Sequence, residues 1–231
     1  MTTDFRITGQ SEKIKTGILL GTMSIFCFGL SLFRFYLTGN TMFLFLNWNL
    51  FLAAIPWVLS VFWNLSAHRS KSIFTFSLLL FSWLLFFPNS PYILTDLIHL
   101  KQRGTFPVWY DLILILTFAW TGLAFGFYSL MEIESILRKK FNDNFIKVIS
   151  TTLLFASAFG VYIGRFLRWN SWDIVSNPKE LVYDISHRLI YPMEHPRTWS
   201  ITLILGIFLN LAYFTFKDGR KFKRELGEKS A

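Results

Sequence analysis

Six apolar runs, each 15 to 23 residues long, divide this chain and restrict its fold. A helix needs about 20 apolar residues to cross the ~30 Å hydrocarbon core, and within lipid it satisfies its own backbone hydrogen bonds. Composition agrees. The 231 residues are 53% hydrophobic, with 27 Phe and 9 Trp, and only 16% charged, against roughly 25% in an average soluble domain. Mean hydropathy is +0.43. A soluble protein of this size has no interior large enough for that much apolar surface. The expected fold is all-α: a polytopic membrane helix bundle of about six transmembrane helices, with short interfacial helices on the outer side. Residues 1–231 are read as a single integral membrane domain.

The spans are expected at 16–36, 42–63, 70–87, 109–131, 145–167 and 199–216. The first follows a charged segment, as in a signal peptide, but only Phe33-Arg34-Phe35-Tyr36 follows it where small residues would mark cleavage. It is therefore read as an uncleaved helix, with Arg34 snorkelling to the interface at its far end. Pro56 predicts a kink in the second span. Charge sets the orientation. With six spans, 15 of the 23 Lys and Arg residues fall on the side holding both termini. The positive-inside rule then puts the termini in the cytoplasm of a cell-membrane protein. The net charge of +9 thus belongs to inner loops and to the basic tail at 217–231. That tail would attract anionic lipid. No nucleic-acid partner is expected, because no base-stacking fold accompanies the charge. One cysteine, Cys27, excludes an intrachain disulfide.

Polar chemistry collects on the predicted outer side, first in PNSPYILTDLIHLKQR at 88–103. Pro88 and Pro91 should break the third span, with Ser90 or Asn89 capping a new helix. At helical pitch Asn89, Tyr92, Asp96, His99 and Arg103 share one face, with Ile93, Leu97 and Leu100 on another. The preceding apolar run of 15 residues rises only about 22 Å. It must borrow length from its connector, or the Pro88 region must lie within the interface. Asp96 and His99 could share a proton or a metal ion, though Asp-x-x-His alone makes half a site. Asp111, Asp173, His187 and His195 fall on the same side and could contribute ligands, but nothing in their spacing gathers them around one ion. A solvated polar stripe explains the same residues without chemistry. For Asp111 the first turn of a helix suffices as an explanation.

Arg165 and Arg168 end the fifth span and can present two guanidinium groups to a phosphate. Snorkelling, or ion pairs with Asp96, Asp111 or Asp173, would explain them equally. The stretch 169–199 should hold an amphipathic surface helix at 179–191 on Leu181, Ile185 and Leu189. Trp48, Trp109, Trp169, Trp172 and Trp199 read as an interfacial belt.

FFPNSPYILTDLIHL, WYDLILI with TGLAFG, and GVYIGRFLRWNSWD together resemble a bacterial integral-membrane family known as domain of unknown function 1361. The resemblance spans roughly 86–173. It implies a bacterial polytopic membrane protein and no particular activity.

The residues themselves support three readings. One is a membrane protein whose outer cluster binds or processes a lipid-linked or phosphate-bearing envelope substrate. There Asp96 and His99 do acid–base or metal work, and Arg165, Arg168, Asn89, Tyr92, Asp111 and Asp173 bind. The second is a non-catalytic structural or accessory subunit. The third is a small transporter, for which Asn47, Asn49 and Pro56 are the best residues.

Overall fold

Glycine, asparagine and proline set many of the helix limits in the computed structural model, which describes residues 2–65, 73–101 and 106–229. Side chains are described over 11–64, 74–101 and 106–220. Arg103, the 66–72 connector and the side chains of the tail from Lys221 onward lie outside the described residues. In order come α1 (Thr2–Thr38), α2 (Phe45–Leu65), α3 (Ile73–Phe86), α4 (Asn89–Tyr92) and a 3-10 segment (Ile93–His99). Then follow α5 (Val108–Leu137), α6 (Asp143–Phe166), α7 (Asp173–Ser176), α8 (Pro178–Ile190), a 3-10 turn (Pro192–Glu194) and α9 (Pro196–Lys229). There is no strand among the described residues. Among the described residues, six segments are long and apolar enough to cross a membrane: Ser11–Thr38, Phe45–Asn64, Phe74–His99, Val108–Leu137, Asp143–Phe166 and Pro196–Arg220. Large apolar side chains such as Ile25, Phe62, Phe74, Ile204 and Leu211 face outward along them. That is the surface lipid requires.

The chain divides into two units, 1–132 and 133–231, with the boundary inside α5. In the first unit α5 is the most buried span. Its partners fix the directions. Arg34, Leu30, Cys27 and Lys13 of α1 meet Asp111, Tyr110, Thr121 and Glu132 of α5, so these two helices run antiparallel. Small residues let the third span approach. A Cβ on Gly126 would lie 2.7 Å from Ser90 Cβ, and one on Gly122 would lie 2.9 Å from the Ser90 carbonyl oxygen.

The third span corrects the expected geometry. Neither Asn89 nor Ser90 caps the new helix; Asn89 is its first residue. Its Nδ2 donates to the Phe86 carbonyl at 2.9 Å and closes α3. Pro88 takes the N-cap position of α4 with no side-chain cap, and Pro91 lies within that helix. Ser90 is buried and donates its hydroxyl to the Ala53 carbonyl of α2 at 3.1 Å. That carbonyl adjoins the one at Leu52 that Pro56 leaves without its helical donor. After Tyr92 the chain tightens to 3-10 pitch, so Asn89, Tyr92, Asp96 and His99 do not form the expected α-helical face. At three residues per turn Ile93, Asp96 and His99 line up instead, and Ile93 and Asp96 are both fully buried. The segment also gains about 2.0 Å per residue. This extends the span beyond the 14 residues of α3.

Arg34 is a second correction. It does not snorkel: it is buried and ion-paired to Asp111.

In the second unit α6 and α9 run antiparallel. Going up α6 and down α9, Ser150 and Tyr213 share a partner, Phe155 packs on Gly206, Phe159 stacks on Trp199, and Phe166 lies under Arg197. The buried face of α9 carries Thr198, Thr202, Leu209 and Tyr213, a helical 4-7-4 spacing. Asn142 caps α6, its side chain accepting from the Phe145 N–H at 2.9 Å. Helix α8 forms where its periodicity predicts. Leu181 and Ile185 pack with Tyr162 and Ile163, while Leu189 stays exposed. Trp169 and Trp199 donate their indole N–H groups to α8, at Asp184 Oδ2 (2.8 Å) and the Arg188 carbonyl (3.2 Å). They are thus structural ties, whereas Trp48, Trp109 and Trp172 are exposed.

Candidate functional site

In the first unit the 3-10 segment faces the start of α2. Asn49 Nδ2 donates to Asp96 Oδ2 at 3.1 Å, and the Phe45 ring meets the His99 ring edge-on at 5.8 Å. Asp96 is fully buried and His99 half-buried. Tyr92 is half-buried at the end of α4. Asn47, two residues from Asn49, donates to Ser31 Oγ at 2.9 Å and joins α2 to α1.

Asp111 sits in the first turn of α5, as its sequence position suggests, but its main partner is a full charge. Arg34 Nε meets Oδ1 at 2.5 Å and Nη2 meets Oδ2 at 3.0 Å. This is a bidentate fork, with side chains only 6% and 9% exposed. Phe43 and Phe106 flank the guanidinium at 4.5 and 5.3 Å. Sequence reasoning missed this pair because 77 residues separate its members. The signal that could have found it is one basic and one acidic residue, each at the end of an apolar run.

The second unit holds Arg165, Arg168 and Asp173. Arg165 is half-buried in the last turn of α6. Arg168 is exposed and has a φ of 65°. Asp173 closes its own turn: Oδ2 accepts the Asn170 N–H at 2.6 Å and Oδ1 the Ser176 hydroxyl at 2.9 Å. The Asn170 backbone N–H, chiefly, holds the Asp173 carboxyl below its ordinary value, with the Ser176 hydroxyl adding to it. A carboxyl lowered in the folded state stabilises its turn above the unfolded pKa of about 3.9 and loses that contribution as pH falls. Amide protection over 170–176 should therefore drop only below about pH 4. Hydrogen exchange read against pH checks this, and Asp173→Asn should remove the step.

A second buried carboxylate, unanticipated from sequence, is Glu134 near the end of α5. Its Oε1 accepts from Ser150 Oγ at 2.7 Å and Tyr213 OH at 2.8 Å. Its Oε2 accepts from Lys217 Nζ at 2.6 Å. One carboxylate thus joins the α5 end to α6 and α9. Lys217, counted in the basic tail, is committed to this pair.

Six membrane-length apolar helices among the described residues, with buried charges paired within each unit, define a multi-pass membrane protein. The model of the family described as "Protein of unknown function (DUF1361)" matches residues 48–212, and the chain belongs to that family. No curated protein and no solved structure matches it.

Proposed function

We propose that this is a cell-membrane protein, with both termini cytoplasmic, that binds a phosphate-bearing or lipid-linked envelope substrate at its outer face. Arg168 carries the reading. Among the described residues, two helices end on a left-handed residue. After α1 it is Gly39, at a φ of 63°, and after α6 it is Arg168, at a φ of 65°. Both serve as helix stops, and glycine does this without strain. In arginine the same conformation costs on the order of 1–2 kcal/mol. Arg168 is exposed, and no hydrogen bond or ion pair within the described residues accounts for its charge. A guanidinium kept at that cost suits a phosphate supplied from outside the chain, with Arg165 three residues earlier as its companion. Asp173, in the same unit as Arg168, is assigned a supporting role in binding. Within the first unit, acid–base work is assigned to Asp96 and His99, with Asn89, Tyr92 and Asp111 in support. The basic tail rests on anionic lipid.

The test uses the full chain in nanodiscs, with a long-chain prenyl phosphate as probe and the matching prenyl alcohol as control. Arg168→Gly should unfold no earlier than wild type, because glycine relieves the left-handed strain. It should bind the phosphate at least about tenfold more weakly, a loss of roughly 1.4 kcal/mol. Equal phosphate binding by Arg168→Gly, or equal binding of the alcohol by wild type, removes the proposal.

The second reading, a structural or accessory subunit, draws on Arg34 with Asp111 and Glu134 with Lys217, where buried charges close on each other. Asp96→Asn separates the two, since it keeps an acceptor for Asn49. Loss of the cellular role in a folded Asp96→Asn protein favours chemistry; its retention favours the structural subunit.

A further inference from the structure

The hairpin between α8 and α9 brings together three residues that the preceding reading does not use. His187 lies in the last turn of α8, Glu194 ends the 3-10 turn, and His195 follows it. His187 Nδ1 and His195 Nε2 face each other at 2.8 Å. One ligand atom from each of the three residues falls within 4.8 Å of the others. Both imidazoles are half-buried, and Glu194 is exposed.

We propose that His187, Glu194 and His195 bind a divalent transition-metal ion, with zinc the best fit. Two imidazoles and one carboxylate suit zinc better than magnesium or calcium, which prefer shells of oxygen alone. Tetrahedral zinc with Zn–N bonds of about 2.0–2.1 Å places two ligand nitrogens about 3.3 Å apart. The imidazole pair therefore has to open by only about half an ångström, and the exposed Glu194 carboxylate has to swing inward. In the bare pair one facing nitrogen carries the shared proton. Binding moves that proton to the outer nitrogen of the same ring, so both facing nitrogens offer lone pairs and no net proton is released from neutral rings. Three protein ligands leave a fourth position for water or for an oxygen of a bound molecule.

The hairpin is built to hold these groups. Pro192 and Pro196 fix the backbone on either side of Glu194 and His195. The Tyr191 N–H donates to the His187 carbonyl at 2.9 Å, and the His195 N–H to the Pro192 carbonyl at 3.1 Å. Trp199 Nε1 ties the first turn of α9 to the Arg188 carbonyl, one residue past His187. The rings of Tyr183 and Tyr191 lie 5.6 and 4.9 Å from that of His187 and limit its rotation. Such restraint lowers the ordering cost of capturing an ion.

The experiment uses the full chain in detergent, purified without a histidine tag and stripped with a chelator. Zinc is then added, free zinc is removed by gel filtration, and retained metal is measured. Cobalt replaces zinc in a parallel sample, where a tetrahedral site gives intense visible bands. Wild type should retain one zinc per chain, and His187→Ala and His195→Ala should retain none. Glu194→Gln is exposed and leaves the fold intact. It should weaken zinc by more than the roughly tenfold that loss of a supporting group costs, and should alter the cobalt spectrum. Wild type without stoichiometric zinc, or Glu194→Gln with unchanged affinity and cobalt bands, overturns the site.

Discussion

Asp111→Ala should lower the stability of the folded protein by about 3–5 kcal/mol, because it leaves the Arg34 guanidinium buried without its counter-charge. Arg34 is 5% exposed and lies between Phe43 and Phe106. Neither ring accepts a hydrogen bond as a carboxylate does, and the Thr38 hydroxyl, 3.5 Å from Arg34 Nη1, carries no charge. Arg34→Ala should do similar harm, since it strands the carboxylate instead. Changing both together to apolar residues of similar volume, Arg34→Met with Asp111→Leu, should return the protein close to wild type. Desolvating two charges offsets much of their attraction, so the pair is worth far less than either orphan costs. Thermal unfolding in detergent, followed by tryptophan fluorescence, measures all four proteins. An Asp111→Ala protein as stable as wild type would mean that the fork contributes nothing. A double variant as unstable as either single one would mean that α1 and α5 depend on charge and not on packing.

Glu134→Ala should cost a similar amount, about 3–5 kcal/mol, for a different reason. Here one group serves several donors. Its loss removes the acceptor that the buried Tyr213 and Ser150 hydroxyls share, and takes the counter-charge from Lys217. Glu134→Gln keeps an acceptor for the hydroxyls and loses the charge facing Lys217, so its cost should fall between, at about 1–3 kcal/mol. Adding Lys217→Met to Glu134→Gln should recover part of that. Protease resistance of the α6–α9 hairpin gives the local readout, and thermal unfolding gives the global one. Equal losses for Glu134→Ala and Glu134→Gln would show that the ion pair alone matters and that the hydroxyl contacts are incidental.

The sequence made much of this fold legible, for reasons particular to each element. Apolar runs announce membrane helices because lipid accepts little else, and all six appear. Helix α8 was legible from Leu181 and Ile185 because a surface helix must bury one stripe. Asp111 at a helix start was legible from its place at the head of a run. The pitch of the 93–99 segment was not. The same letters make a polar stripe at 3.6 residues per turn and a mixed column at 3.0, and only packing against α2 and α5 decides between them. Arg34 with Asp111 and Glu134 with its donors were hidden because pairing across 77 or 79 residues leaves no local pattern. His187 and His195 stood in view as two histidines eight residues apart. Glu194 did not, because its role depends on a turn that folds it back.

One consequence of the 3-10 segment concerns gearing. Two helices mesh when their repeats advance by equal distances. Four residues of α-helix advance about 6.0 Å, and three residues of 3-10 helix also advance about 6.0 Å. Phe45 and Asn49 are four apart on α2, and their partners His99 and Asp96 are three apart on the facing segment. The two ladders are therefore commensurate, tooth against tooth. Wound at α pitch, three residues would advance only about 4.5 Å, and each successive pair would slip by about 1.5 Å. The tight pitch sets the spacing at which this stretch can engage its neighbour.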